Sequence, residues 1–305
     1  MSEPDTFHLD MAELDLPRGA YAGGNRHILS FGTRPVAAFT QGQFRPCIHP
    51  VWTPAGIVVT AESPVDHPHH GGIWCAADHV AGLHDGPDGT ERYDYCFYVN
   101  EVFHGRAPGS IAITSIELRD ASPVQATICQ QMQWLSPREW GARDCRVVMH
   151  ETRTTTVRRE DQAHIFDITC KLQAGDNPVE IGPTRHAWFN ARVSDALALS
   201  SECLPVDDRG RNGAAAIGKS DVGWVDFCGD IGNGTIAGLA TVPPPDTVRD
   251  WFVADWGVAS VGPFRHDTMS LTEDATLLLR CRFIAHDGPL QDTWIISPPQ
   301  HTNPA

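Results

Sequence analysis

Residues 147–174 read VVMHETRTTTVRREDQAHIFDITCKLQA. The first part, Val147–Val157, is rich in valine and threonine, and the later run His164–Ala174 alternates apolar with polar residues. Between them, Arg158–Gln162 has the polar composition of a turn. The segment therefore predicts a long antiparallel hairpin with one face toward solvent.

Short runs of the same kind continue along the chain in both directions. The 27 glycines and 23 prolines are spread evenly and punctuate these runs, with a spacing of about 8–12 residues that is typical of all-β proteins. Outside the hairpin, the predicted strands are His27–Phe31, Val36–Thr40, Ile57–Glu62, Tyr95–Phe103, Ser110–Leu118, Gln125–Leu135, His186–Val193, Gly223–Phe227, Thr235–Thr241, Trp251–Val253, Val258–Val261 and Thr276–Ala285. This many strands without long helices predicts a large antiparallel β-sandwich or a barrel.

No linker divides the 305 residues, so we expect one domain. Its predicted parts are an N-terminal extension at 1–26, the β domain at 27–290 and a C-terminal tail at 291–305. Met11–Leu16 is predicted to form a short helix. Val80–Asp94 and Pro205–Lys219 are predicted to be surface loops.

Composition restricts the classes of binding partner and the expected cellular compartment. With 23 Lys and Arg against 38 Asp and Glu, the net charge is −15, which argues against nucleic acid or an anionic membrane as partner. No apolar run approaches the roughly 18 residues of a membrane helix, and no apolar signal segment opens the chain. Nine cysteines without a C-x-x-C pair favour reduced thiols in a cytoplasmic protein.

The segment Asp66–Trp74, DHPHHGGIW, is the strongest functional signal, because it places three histidines within four residues. Imidazoles serve as metal ligands, general bases or donors to substrate oxygens. Pro68 predicts an extended loop, in which His67 and His69 would project to one side and His70 to the other.

Three interpretations of these histidines remain open. They could satisfy backbone carbonyls in a structural loop, or they could bind substrate and exchange protons without a metal. In the third interpretation, His67 and His69 join one of His49, His79 and His186 to hold a divalent ion such as zinc, manganese or iron.

A second polar and aromatic group lies at Thr184–Arg192. Strand alternation would put His186, Trp188, Asn190 and Arg192 on one face. A ring that stacks on sugar C–H groups and donors for hydroxyls are what a carbohydrate site uses. The alternative is a strand with one polar face in solvent.

Arg45 and His49 upstream of the histidine segment, and Asp78 and His79 downstream of it, could line one cleft with the histidines. Trp74, at the end of the segment, is expected to stack on a sugar ring.

The region Arg45–Trp74 resembles the PmoA-like family of soluble bacterial proteins. The family pattern R-P-x-x-x-P is met by Arg45, Pro46 and Pro50, and D-H-P-H-H-x-G-[LI]-W is met by Asp66–Trp74. The resemblance implies a β-supersandwich similar to galactose mutarotase-like proteins, which mostly act on or bind carbohydrates.

The resemblance also shows departures. A Glu and a Lys of the family correspond to His186 and Arg185 here, and a C-terminal His and Arg correspond to Phe252 and Ala254. His186 would have to replace that Glu if it were a general acid.

We therefore expect a carbohydrate-active enzyme that eliminates, epimerises or cleaves a sugar or an oxidised sugar derivative by histidine acid–base catalysis. The expected catalytic residues are His69, His70 and His186, and the expected substrate-binding residues are Arg45, His49, Trp74, Asp78, Trp188, Asn190 and Arg192. The alternatives are a divalent-metal enzyme and a non-catalytic sugar-binding domain. The chain has no nucleotide motif of the G-x-G-x-x-G or P-loop kind, so no nucleotide is expected, and homo-oligomerisation is left open.

Overall fold

The computed structural model describes residues 5–13, 25–138, 144–198, 203–217 and 222–296. In these parts of the chain the strands are β1 (Phe7–Glu13), β2 (Asn25–Phe31), β3 (Arg34–Thr40), β4 (Cys47–Val51), β5 (Ile73–Cys75), β6 (Val80–Gly86), β7 (Gly89–Cys96), β8 (Ala107–Pro108), β9 (Ser110–Ala121), β10 (Gln125–Leu135), β11 (Val147–Arg159), β12 (Ala163–Ala174), β13 (Val179–Ile181), β14 (Phe189–Arg192), β15 (Pro205–Asp207), β16 (Val225–Asp230), β17 (Ile236–Val242), β18 (Asp250–Ala254), β19 (Val258–Gly262), β20 (Met269–Leu271) and β21 (Thr276–Asp287). The helices are α1 (Asp195–Ala198) and α2 (Asp292–Ile296).

The predicted hairpin is confirmed and lies inside a large sheet. Strands β11 and β12 pair antiparallel, with Met149 opposite Ala174 and Arg159 opposite His164. The sheet that contains them has eight strands in the order β15-β16-β17-β21-β12-β11-β10-β9.

Two further sheets complete the architecture. The first sheet has the order β1-β2-β3-β4-β5-β14-β19-β18, and a smaller sheet has the order β20-β13-β6-β7-β8. The β7–β8 pair is parallel, and the other strand pairs in the described chain are antiparallel.

One apolar core joins the three sheets. Trp134 of β10 stacks on Trp188, just before β14, with ring centroids 5.0 Å apart. Both indoles are fully buried, and the same cluster includes Ile73 of the first sheet and Val80 of the small sheet. The predicted all-β fold and large antiparallel sandwich are therefore confirmed.

The core also contains an ion pair. The Glu151 and Arg153 side chains are almost fully buried, and Arg153 Nε donates to a Glu151 oxygen at 2.7 Å. The indole Nε1 of Trp134 donates to the other Glu151 oxygen at 2.8 Å. Burial of Arg153 opposes its charge, but the nearby acidic groups, Glu151 among them, raise its pKa above the ordinary value.

Several local predictions differ from the structure, among them the strand Tyr95–Phe103, of which only Tyr95 and Cys96 belong to β7. Met11 and the residues before it belong to strand β1, which pairs with β2, so the predicted helix at Met11–Leu16 is wrong where it is described; Leu14–Leu16 lie outside the described residues. The predicted loop Val80–Asp94 is the hairpin β6–β7. The predicted strand Ile57–Glu62 makes isolated bridges.

Regular secondary structure is also present in segments that were predicted to be an N-terminal extension, a C-terminal tail and a surface loop. Strand β1 lies within the predicted N-terminal extension and α2 within the predicted tail, while β15 lies in the predicted loop Pro205–Lys219. Residues 218–221 and 297–305 lie outside the description. The domain boundaries stay a prediction.

All nine cysteines are free thiols. Among the described helices, none is long and apolar enough to cross a membrane.

Candidate active site

A second apolar cluster lies against the first sheet, on the face opposite the main core. Strand alternation explains it, because Ile73 and Cys75 enter the main core whereas Trp74 between them points to the other side. The buried members of this cluster are Cys47, Trp74, Ala76, Cys96, Tyr98, Val99 and Val258, with Phe103, Phe252, Ala254 and Trp256 packed on them. The predicted histidines gather around these rings.

The histidine segment forms two successive turns and is not extended. The His67 amide donates to the Pro64 carbonyl at 3.1 Å, and the His70 amide donates to the His67 carbonyl at 3.0 Å. His67 and His70, three residues apart, therefore stack with centroids 4.9 Å apart. The predicted arrangement, with His70 on the opposite side from His67, is wrong because the turns replace the strand alternation.

Buried polar contacts hold this loop in place. The Arg45 guanidinium donates to the carbonyls of Phe97 at 3.0 Å and His69 at 2.7 Å, and to Asn100 Oδ1 at 2.5 Å. Arg45 is itself 7% exposed. These contacts fix the loop, although Arg45 was expected to contact substrate.

A second clamp joins the loop to β14. Both terminal nitrogens of Arg192 donate to the Asp66 carboxylate at 3.0 Å. The Arg192 guanidinium also lies over the Trp256 ring, 4.9 Å from its centroid. Arg192 therefore lies at the candidate site, where its terminal nitrogens contact the protein's own Asp66.

Four rings form a continuous stack at this loop. Trp256 lies on His67 at 4.2 Å, His67 on His70 at 4.9 Å, and His70 on Trp74 at 4.9 Å. His70 Nδ1 and Trp74 Nε1 are buried without a hydrogen-bond partner among the described residues. These two atoms, on rings that stack on each other, could each form a hydrogen bond with a ligand or water.

The most polar part of the site is the pair Asp78–His186. His186 Nδ1 lies 2.7 Å from an Asp78 oxygen. Thr184 donates to the other oxygen, and Arg106 lies 3.6 Å from that oxygen. Burial alone would raise the pKa of Asp78, but the hydrogen bonds from His186 and Thr184 hold it below the ordinary value.

The second nitrogen of His186 faces the accessible side of the site. Exposed Arg185 donates from Nε to His186 Nε2 at 3.1 Å. Since an arginine cannot accept, Nε2 is the acceptor, and the proton of the neutral ring lies on Nδ1 toward Asp78. His186 is therefore held in one tautomer, with its Nε2 lone pair toward exposed Arg185.

Aromatic rings surround His186. Tyr98 stacks on it with centroids 4.9 Å apart, and Phe103 and Phe252 lie edge-on at 5.8 and 5.9 Å. Phe103 and Phe252 are partly exposed, whereas Tyr98 is buried and hydrogen-bonds Ser260.

The sequence analysis missed several of these residues. Tyr98 lies in a predicted strand without a functional signal, and Phe103 follows it. Trp256 lies two residues after Ala254, where the family resemblance places a C-terminal motif, and this proximity was the available signal.

The remaining predicted residues lie deeper. Asn190 is fully buried and donates to the Trp74 and Trp188 carbonyls, and it accepts from Ser260 at 2.5 Å. His49 is buried beside Thr60, 2.9 Å from its hydroxyl. Trp188 was predicted to stack on a sugar, but its ring is in the main core because the residues before β14 do not follow strand alternation.

The predicted metal ligands do not come together in the described chain. The rings of His67 and His69 lie 5.7 Å apart, while the three candidate third ligands are engaged elsewhere. His79 contacts Asp94 at 3.0 Å, as His186 contacts Asp78 and His49 contacts Thr60. Among the described residues, the histidine loop supplies no set of three close ligand atoms.

Acid should destabilise the protein through histidines that are buried and neutral. Burial, then Arg26, lowers the pKa of His49 to about 3, and burial, then Arg45, lowers that of His69 to about 3. Burial also moves the pKa of His70 well below its usual range. Below about pH 6.5 these histidines bind protons in the unfolded chain but stay neutral in the folded chain. The free energy of unfolding therefore decreases as the pH is lowered.

We expect His49 alone to lower the free energy of unfolding by about 1.4 kcal/mol per pH unit below pH 6.5. Urea unfolding at pH 7, 6 and 5 measures the total slope, and His49→Gln should reduce it by about this amount because His69 and His70 still contribute. A free energy of unfolding that stays constant from pH 7 to 5 would contradict the expectation.

Gly72 lets the loop approach strand β4. Its φ is +56°, and a Cβ there would lie 2.3 Å from the Ile48 carbonyl oxygen and 2.8 Å from His49 Cβ. Gly72→Ala should therefore destabilise the fold by about 2–4 kcal/mol. Gly56→Ala is the control, because Gly56 also has positive φ but a Cβ there would meet nothing within 4 Å. Equal losses in urea unfolding would exclude steric contact as the cause.

Comparison with known proteins gives a family and similar solved structures. The sequence family described as "Family of unknown function (DUF6807)" matches residues 22–296. The comparisons do not support the PmoA-like resemblance. Among curated proteins, none matches the sequence. A solved structure described as a "Putative aldose 1-epimerase" from Escherichia coli K12 is 8% identical, covers 93% of this chain and 100% of its own, and has a TM-score of 0.36.

Proposed function

The chain belongs to the DUF6807 family of unknown function, and we propose that it is a carbohydrate-active enzyme in which His186 is the general base. The observation that carries the proposal is the Asp78–His186 hydrogen bond of 2.7 Å at the centre of partly exposed aromatic rings. A sugar or an oxidised sugar derivative is the proposed substrate.

The orientation of His186 supports the assignment. Asp78 accepts the Nδ1 proton, so the Nε2 lone pair points away from it, and a substrate that displaces the contact from exposed Arg185 would meet that lone pair. In this arrangement a carboxylate fixes the tautomer and stabilises the imidazolium that forms when Nε2 takes a proton. Such a base is suited to removing a proton next to a carbonyl, or from a water molecule.

The surroundings support a sugar-like substrate. Phe103, Phe252 and Trp256 are partly exposed and can cover the C–H face of a sugar ring. Arg185 and Arg106 stand beside the Asp78–His186 pair, where a guanidinium can bind hydroxyls or a carboxylate.

The roles of the other predicted catalytic histidines follow from their environment. With its pKa near 3, His69 is neutral at pH 7 and cannot act there as a protonated general acid. We propose that the partly exposed His69 imidazole contacts substrate and that His70 orients the loop through its ring stack.

The test is proton exchange in deuterium oxide with aldoses, ketoses and uronic acids as probes. Nuclear magnetic resonance should show deuterium entering at a carbon next to the carbonyl, or should show a new product. A glycoside panel tests bond cleavage in parallel. Saturable sugar binding without exchange or product would instead indicate a binding domain.

A further inference from the structure

Three potential metal-binding side chains meet on the second eight-stranded sheet, away from the candidate active site. Asp226 and Cys228 lie two residues apart on β16, and His286 lies on β21. Phe227 between the first two enters the main core, so Asp226 and Cys228 project from the opposite face. His286 projects to the same face, where its ring lies 6.0 Å from that of Trp294.

A glycine on the intervening strand makes their approach possible. Gly238 of β17 pairs with Cys228 on one side and with His286 on the other. A Cβ at Gly238 would lie 2.5 Å from His286 Nε2 and 3.0 Å from Cys228 Cβ. The bare position therefore lets side chains of β16 and β21 meet across β17.

Both ring nitrogens of His286 face oxygen atoms. Nδ1 lies 2.8 Å from the Gly288 carbonyl, and Nε2 lies 3.2 Å from Asp226 Oδ1. A carbonyl can only accept, so Nδ1 carries a proton, and a neutral ring then turns its Nε2 lone pair toward a carboxylate. That arrangement requires either a second proton on the ring or a cation shared by Nε2 and the carboxylate.

We propose that Asp226, Cys228 and His286 bind one divalent zinc ion. Their ligand atoms all lie within 4.8 Å of one another, and they are the one such trio in the described chain. Ligand atoms on one tetrahedral zinc lie roughly 3.3–3.7 Å apart. The nitrogen–oxygen distance of 3.2 Å is close to this spacing, so the main adjustment is a side-chain movement of Cys228.

The chemistry of the three donors favours zinc. A thiolate and an imidazole select zinc over magnesium or calcium, which prefer oxygen ligands. The Nδ1 contact with the Gly288 carbonyl is the outer hydrogen bond that usually orients a histidine ligand. His286 and Asp226 are buried, whereas Cys228 is partly exposed and leaves a route for the ion.

The experiment uses the full-length protein without a histidine tag, freed of metal with a chelator and kept reduced. Cobalt(II) is added stepwise as a probe for zinc, because a cobalt–thiolate bond produces a charge-transfer absorption in the near ultraviolet. We expect the band to saturate near one equivalent and to disappear when zinc is added. Cys228→Ser should abolish the band and weaken zinc binding by about tenfold or more.

Matched variants separate this site from the others. Cys145→Ser removes another partly exposed thiol and should keep the band. His67→Ala/His69→Ala alters the histidine loop and should also keep it. Asp226→Asn should weaken cobalt binding while circular dichroism shows an intact fold, and if this variant does not fold, the Cys228→Ser comparison decides.

Two results would overturn the proposal. One is the absence of a thiolate band at stoichiometric cobalt. The other is a band that persists unchanged in Cys228→Ser. Either would leave Asp226 and His286 as a carboxylate–imidazolium pair. Neither result depends on enzyme activity, so the proposed function would be unaffected.

Discussion

His186→Gln is expected to lower turnover by about 10²–10⁴-fold, while the fold is retained. Glutamine can still donate to Asp78, but it has no nitrogen that accepts a proton near neutral pH. Glutamine is similar in volume to histidine, so the replacement leaves no cavity of full ring size at this side chain, which is 13% exposed. The measurement is kcat and kcat/KM on the substrate found by proton exchange, together with the deuterium exchange rate itself.

Two variants sharpen this result. Asp78→Asn should also lower kcat, and it should shift the pH profile, because the carboxylate no longer stabilises the charged imidazole. His266→Gln is the control, since His266 is 70% exposed and stands 3.8 Å from Asp250 in a comparable pair. Turnover of His186→Gln within a few-fold of the wild type would rule out His186 as the base.

Glu151→Ala is expected to lower the free energy of unfolding by about 3–5 kcal/mol. It leaves the buried Arg153 guanidinium without the carboxylate that accepts from it at 2.7 Å, and it removes the acceptor of Trp134 Nε1. Urea unfolding at pH 7, followed by tryptophan fluorescence and circular dichroism, measures the change.

The control removes both charges. Glu151→Met/Arg153→Met should recover much of the loss, because apolar side chains of similar size avoid an unpaired buried charge. Glu117→Ala should change stability little, although Glu117 and Arg119 form a pair with the same 2.7 Å contact, because both side chains are about half exposed. Equal effects at the two glutamates would show that burial does not decide the outcome.

The fold was predictable where strands are long and regular. The hairpin at 147–174 has enough valine, threonine and alternation to identify both strands. Strands β4 and β5 were not predicted because they are short. Strand β4 contains Pro50, and strand β5 follows two glycines. The predicted helix beginning at Met11 failed because pairing with β2 outweighs a weak local preference.

The site was predictable as a set of residues but not as an arrangement. His186 and Asp78 were both selected from the sequence, yet nothing in it indicates that they are hydrogen-bonded across 108 residues. The turns at Pro64–His70 could not be read from composition, so the side-chain directions in the loop were wrong. Trp188 was misplaced because the regular strand begins after it, at Phe189.

The contacts that build the site have a consequence for synthesis of the protein. Asp66 can form its ion pair only after Arg192, 126 residues later, has been synthesised. The His67 ring likewise stays uncovered until Trp256 is available to stack on it. A nascent chain still attached to the ribosome therefore exposes the histidine turns until strands β18 and β19 have emerged. Truncated products would lack the complete candidate site, and the apolar surface of such an incomplete sheet would be a target for chaperones.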